Sequence, residues 1–288
     1  MTTLIPVLLV TALGLLLAAA TAGLAAMLLG VRSAATVSTG FAEPAPQPGG
    51  VAAAIGWALW AALGLLALGL LLRAVATGHA PWSNLHEFSV AFAATALATH
   101  LALARAYPIS GLGPLVALVA AALVGFGLSR DDTIQPLVPA LQQPLLLTIH
   151  VGAAVAAYAV AAVAFVAAVA ELVQRATAGR VALLPSADLA RVVTHRAVLV
   201  GFPILTIAIA LGAVWANLAW RSFWSNDPKE LAAAATWLVF GAYLHVAGRR
   251  DRLAALAPWL VVLGFVGVLF TYIGAGLFIV GEHSYGSS

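Results

Sequence analysis

The stretch WANLAWRSFWSNDPKE, residues 215–230, is a short polar passage between two long apolar segments, and it carries Trp215, Trp220, Phe223 and Trp224. A soluble loop rarely holds so much aromatic surface. Two readings account for it. Tryptophan gathers at bilayer interfaces because its ring is amphipathic, so the rings anchor a membrane helix end. Alternatively they form a shelf for a flat guest such as a porphyrin, each ring burying apolar area at about 25 cal/mol per Å². Asp227, Pro228, Lys229 and Glu230 close the stretch, and their charges suit a cap at the start of the next helix as well as a site.

Outward from this passage the chain is apolar almost throughout. With 63% hydrophobic and 8% charged residues in 288, it has too little polar surface to fold as one soluble domain. Its class is therefore all-α, a polytopic membrane protein. Hydropathy and helix stop signals divide it into about eight spans, near residues 4–29, 51–76, 88–106, 112–128, 145–173, 192–214, 231–247 and 253–280. No basic residue precedes the first, which reads as a retained span and not a signal peptide. Residues 1–288 make a single integral membrane domain in this reading, with residues 212–230 as a tryptophan-rich loop.

An even number of spans puts both termini on one side, and basic residues choose which. Loops after odd spans carry nine of the thirteen Lys and Arg residues: Arg32, Arg105, Arg175, Arg180, Arg191, Arg196, Arg249, Arg250 and Arg252. Loops after even spans carry Arg73, Arg130, Arg221 and Lys229. The expected arrangement is both termini extracytoplasmic, together with the tryptophan loop. The same scatter separates the high pI of about 9.7 from nucleic-acid binding, since no basic block exists. Cysteine is absent, so thiol chemistry would belong to a partner.

Ionisable groups in or beside membrane spans default to functional hypotheses. The topology puts His79, His86, His150 and His283 outside, and His100, His195 and His245 toward the cytoplasmic ends of their spans. A structural hydrogen bond explains any single imidazole. As a group they suggest more: His150 and His283 approach the tryptophan passage from either side, as an axial pair for haem iron does. HExxH, P-loop and Cys/His patterns are missing from the sequence. A small-molecule transporter is the alternative from another class, and the spans hold few of the mid-depth charges it needs.

Longer stretches resemble the CcsA family, also called ResC, the membrane subunit of the System II cytochrome c synthase. They are GHAPWSNLHE (78–87), LVPALQQPLLLTIHV (137–151), GAVWANLAWRSFWSNDPKE (212–230), TWLVFGAYLH (236–245), LFTYIGAGLF (269–278) and HSY (283–285), which together span most of the chain from residue 78 onward. The resemblance implies a multi-pass protein of the bacterial cytoplasmic membrane that binds haem b and presents it for covalent attachment to the CxxCH segment of apocytochrome c. Its implied partners are a CcsB/ResB-like membrane subunit and a thiol-reducing thioredoxin-like protein. By the same resemblance His150 and His283 are the outer axial ligands, and Trp215, Trp220, Trp224 and Asp227 belong to the haem-holding loop. His245 is the implied ligand within a span, for haem on its way out. The family loop runs close to WANEAWGSYWSWDPKETWA, so Leu218, Arg221, Asn226 and Ala232 depart from it, and Arg221 adds a cation suited to a haem propionate. His86 stands where the family has Tyr. A haem-binding paralogue without attachment activity, of the HemX-like kind, is the alternative within the superfamily.

Overall fold

The computed structural model describes residues 3–34, 50–134, 144–249 and 252–274. Within them lie eight helices long and apolar enough to cross a membrane. Their α-helical parts are α1 (Leu4–Ala34), α2 (Gly50–Thr77), α3 (Leu85–Ala106), α4 (Gly113–Leu128), α5 (Pro144–Ala176), α6 (Ala187–Trp220), α7 (Pro228–Ala247) and α8 (Ala257–Leu269), the fourth and eighth spans reaching full length, Ser110–Leu128 and Leu253–Gly274, through the turns that flank α4 and α8. Short 3₁₀ turns precede α4 and α8, and a π turn, Phe270–Gly274, continues α8. No strand occurs among the described residues.

Helix α5 is the centre of the bundle. It packs most extensively along α6 and also meets α3, α4 and α8, whereas α1 and α2 pair with each other and lie against α4 and α3. Lipid chains are as apolar as Leu, so burial from water does not drive these contacts and close packing must. The buried run of α5 is accordingly small, with Ala159, Ala164, Ala167, Ala168 and Ala170 fully enclosed. A Cβ at Gly201 of α6 would lie 3.0 Å from Val160, which shows how near the two backbones come. Outward-facing positions stay apolar, Trp57 of α2 and Leu238 of α7 among them, as a lipid-facing surface requires.

Two connections on one end of the bundle are tied down by polar groups. Between α2 and α3, Asn84 caps α3 by accepting from the Glu87 N–H. The Glu87 carboxylate is buried and accepts from Arg73 Nε at 2.8 Å and from Ser83 N–H and Oγ–H at 2.9 and 2.8 Å. Between α6 and α7, Asp227 accepts from the Lys229 N–H while Glu230 accepts from the Asp227 N–H, a capping box followed by Pro228 at the first helical position.

The expected sixth span, 192–214, is extended at both ends. Ser186 caps its start, and Ala, Leu and Trp carry the helix on to Trp220, where Arg221 adopts φ 61° and terminates it in the left-handed conformation. Trp215 and Trp220 are therefore helical, and the passage expected as a loop over 212–230 is non-helical only between Trp220 and Pro228. Of the expected eighth span, 253–280, residues 275–280 lie outside the described residues.

Candidate functional site

The same end of the bundle encloses a cavity of about 240 Å³. Its wall is assembled from five parts of the chain. Trp82 and Phe88 come from the start of α3 and the loop before it, His150 and Tyr158 from α5, Gly212 and Trp215 from α6, and Phe223, Trp224 and Lys229 from the α6–α7 connection and the start of α7. Tyr272, from the π turn after α8, completes it. Tyr272 stacks on Phe88 with ring centroids 5.1 Å apart and meets Phe126 edge-on, and its hydroxyl is hydrogen-bonded to Ser89 Oγ. This aromatic floor joins α3, α4 and the end of α8.

His150 is half-buried, two turns into α5. Its Nδ1–H donates to the Ala208 carbonyl at 2.9 Å, which in a neutral imidazole puts the lone pair on Nε2. A backbone carbonyl on one ring nitrogen is the usual way a metal-binding histidine is oriented and made more basic. The Trp215 ring lies nearly parallel to it, at 10° with centroids 6.3 Å apart, and is almost fully buried. Trp220 stands edge-on behind Trp215 at 4.8 Å, outside the cavity wall. Trp224 remains partly exposed at the rim, its Nε1–H donating to Asn226 Oδ1 at 2.8 Å.

Gly212 makes the histidine's position available. A Cβ there would approach His150 Cε1 to 2.7 Å, so any larger residue collides with the ring. Neither Gly212 nor Trp82 stands out in the sequence as a site residue, although both lie within the segments that resemble the family. Trp82 lies over Gly152 of α5, 3.8 Å from a Cβ built there, and its buried Nε1–H has no hydrogen-bond partner among the described residues.

The remaining candidates are dispersed. Asp227 is buried as the N-cap of α7 and does not line the cavity. His245 is exposed in the last turn of α7, at the opposite end of that helix from the cavity. His195 Nδ1 and the Tyr243 hydroxyl are hydrogen-bonded at 3.5 Å, and His100 is buried in α3 with no partner for its Nδ1 among the described residues. His86 is buried too, its Nδ1–H bonded to the Gly127 carbonyl at 2.9 Å, and thereby fastens α3 to α4. His79 Nδ1–H donates to the Ala80 carbonyl in the α2–α3 loop. His283 lies outside the described residues. Leu218 and Arg221 are exposed, and neither they nor Ala232 line the cavity; Asn226 reaches it only through Trp224. Among the described residues no cluster of three His, Cys, Asp or Glu side chains is arranged to hold a bare metal ion.

Fold and site together define a multi-pass helical membrane protein with an aromatic, histidine-bearing cavity at one end of its bundle. Residues 82–283 match the family model described as cytochrome C assembly protein. The chain is 36% identical over 256 residues to the cytochrome c biogenesis protein CcsA of Synechococcus sp. (strain RCC307), covering 77% of this chain and 81% of the relative. It is 35% identical over 234 residues to CcsA of Chlamydomonas reinhardtii, covering 77% and 65%, and 34% identical over 268 residues to CcsA of Gloeothece citriformis, covering 74% and 81%. The chain belongs to the CcsA family of cytochrome c assembly proteins. That membership gives it a role in cytochrome c biogenesis, a process that involves haem, apocytochrome c and assembly partners. Helices α1 and α2 precede the matched region.

Proposed function

We propose that this chain binds haem b in the cavity at the extracytoplasmic end of the bundle, in the bacterial cytoplasmic membrane, and presents it to the CxxCH thiols of apocytochrome c. The observation that carries the reading is His150, oriented by the Ala208 carbonyl and faced by Trp215, in an aromatic cavity. At about 240 Å³ the cavity is smaller than the roughly 300–1,000 Å³ of pockets that engulf a drug-sized ligand. It therefore takes one edge of a macrocycle and leaves the rest on the open rim of Phe223 and Trp224, both exposed. A partner must reach the haem edge, and such a shelf permits that.

In this reading His150 supplies one axial nitrogen and His283, by family resemblance, the other. Each thioether forms by addition of a cysteine S–H across a vinyl C=C, with no net electron transfer. The chain contributes orientation and exclusion of water. Having no cysteine, it leaves thiol reduction to a thioredoxin-like partner. His245 is exposed on the outer surface of α7, where a CcsB/ResB-like subunit has access to it.

The test is to purify the protein with that partner and record absorption spectra of wild type, His150→Ala, His283→Ala and His245→Ala. Loss of haem in the first two variants with retention in the third supports an outer site distinct from His245. Unchanged spectra in all three remove the proposed ligands. If haem is bound but co-expression with apocytochrome c gives no covalent product, the chain binds haem without attaching it.

A further inference from the structure

The rim of the cavity holds a ring that is fixed on every side although it is far from buried. Trp224 lines the wall and is 43% exposed. One hydroxyl pins its backbone: Ser222 Oγ–H donates to the Trp224 carbonyl at 2.8 Å, and the same oxygen accepts from the Trp224 N–H at 3.4 Å. On the following side Glu230 Oε2 accepts from Ser225 N–H at 2.8 Å, Ser225 Oγ–H at 3.2 Å and Asp227 N–H at 3.2 Å. The side chain is held too, its Nε1–H donating to Asn226 Oδ1 at 2.8 Å.

Asn226 suits this task in two respects. It stands at φ 61°, in the left-handed region that asparagine enters far more readily than most L-residues. Its amide oxygen is an acceptor placed two residues from the indole donor. Tryptophan, which the family loop has at this position, donates and cannot accept, so the bond depends on the departure. With its one polar atom engaged, the Trp224 indole offers only apolar ring surface to whatever occupies the mouth of the cavity. An untethered surface tryptophan samples several rotamers, and a ligand that stacks on it has to freeze them. A ring held beforehand removes that entropic cost from binding.

We propose that Asn226 is a positioning residue for the bound macrocycle: it holds the Trp224 indole in one preset orientation at the rim, as a platform for the part of the ring that the cavity of about 240 Å³ does not enclose. The inference rests on the reading of the cavity as a haem site. It adds that a residue outside the wall, acting through Trp224, sets how firmly the outer part of the macrocycle is held. His150 is untouched by this device, since its orientation comes from the Ala208 carbonyl on α6.

The test is a cycle of variants in the full chain, purified in detergent with its partner subunit and titrated with haem b. Asn226→Gly removes the acceptor and keeps the backbone, because glycine takes φ 61° freely. It is expected to weaken haem binding about threefold to tenfold, the size of one hydrogen bond. Asn226→Asp, which retains an acceptor oxygen and tolerates the left-handed conformation, recovers most of that loss. In a Trp224→Phe background, where the ring has no N–H to hold, Asn226→Gly produces no further change. The Soret position of bound haem stays that of wild type throughout, because the axial ligation is intact. Wild-type affinity in Asn226→Gly overturns the proposal, and so does an equal loss in the Trp224→Phe background, which would make Asn226 a backbone residue only; either result leaves the haem site standing. Absence of any haem spectrum in wild type sinks the haem reading and this inference together.

Discussion

At the scale of single residues, the position of His150 depends on what Gly212 lacks. A methyl group 2.7 Å from Cε1 forces the ring to turn or α6 to move, and either breaks the 2.9 Å bond to the Ala208 carbonyl. Gly212→Ala is therefore expected to lower haem recovered with the purified protein several-fold. Gly125→Ala is the control: a Cβ there meets nothing within 4 Å, and the change should leave haem content alone and add up to about 1 kcal/mol to helix stability. Equal haem in both variants would show that the ring tolerates displacement. Arg221 gives a second case. It holds φ 61° at the end of α6, a conformation that costs an L-residue about 1–2 kcal/mol, whereas glycine adopts it freely. Arg221→Gly should raise the thermal midpoint in detergent by an amount equivalent to about 0.5–1 kcal/mol, the left-handed penalty less glycine's greater unfolded-state entropy. Trp215, Trp224 and His150 were legible because aromatic density and a histidine near a span end are visible in a string. Trp82 was not. It is separated from the tryptophan passage by more than a hundred residues, and only the packing of its loop on Gly152 brings it to the cavity.

The helices themselves were readable from apolar length, and their ends were less so. Hydropathy falls at the tryptophans, and on that signal α6 stops near residue 214; helix propensity continues to Trp220, because neither Asn217 nor the indoles break a helix whose far end is set by Arg221. What the string also hid is how the loops are held. Arg73 in α2 and Glu87 in α3 are fourteen positions apart, and their buried 2.8 Å pair fixes the turn that carries Trp82. Arg73→Met leaves the Glu87 carboxylate buried without its cation, and removal of one partner of a buried pair costs about 3–5 kcal/mol. Adding Glu87→Gln should recover part of that loss, since a neutral amide needs no counter-ion and can still accept from Ser83. Thermal unfolding of the two variants measures both effects, and a double variant no more stable than Arg73→Met would mean that the pair's charge is not what matters. The capping box at Asp227 works in the same way on the other side of the cavity. Asp227→Ala should cost about 0.5–2 kcal/mol and loosen the segment that presents Trp224 and Lys229.

For the whole molecule the decisive quantity is which way the bundle faces. The cavity is built at the end where α2 meets α3, where α5 begins and where α6 meets α7, so one orientation exposes it to the compartment in which cytochromes c mature and the other hides it in the cytoplasm. Basic residues argue for the first: in the division of the sequence into spans, nine of thirteen are assigned to the opposite side, and the retained side in such proteins is the positive one. Because the chain has no cysteine, the prediction can be read without background. Asp132 is exposed in the α4–α5 connection on the cavity side, and Ala182 is exposed in the α5–α6 connection on the other. In intact cells a membrane-impermeant maleimide should label Asp132→Cys and leave Ala182→Cys unmodified until the membrane is permeabilised. The reverse pattern would put His150, Trp215 and Lys229 in the cytoplasm, where no apocytochrome c thiol reaches them after export, and the chain would then deliver haem from the inner side and not present it at the outer one.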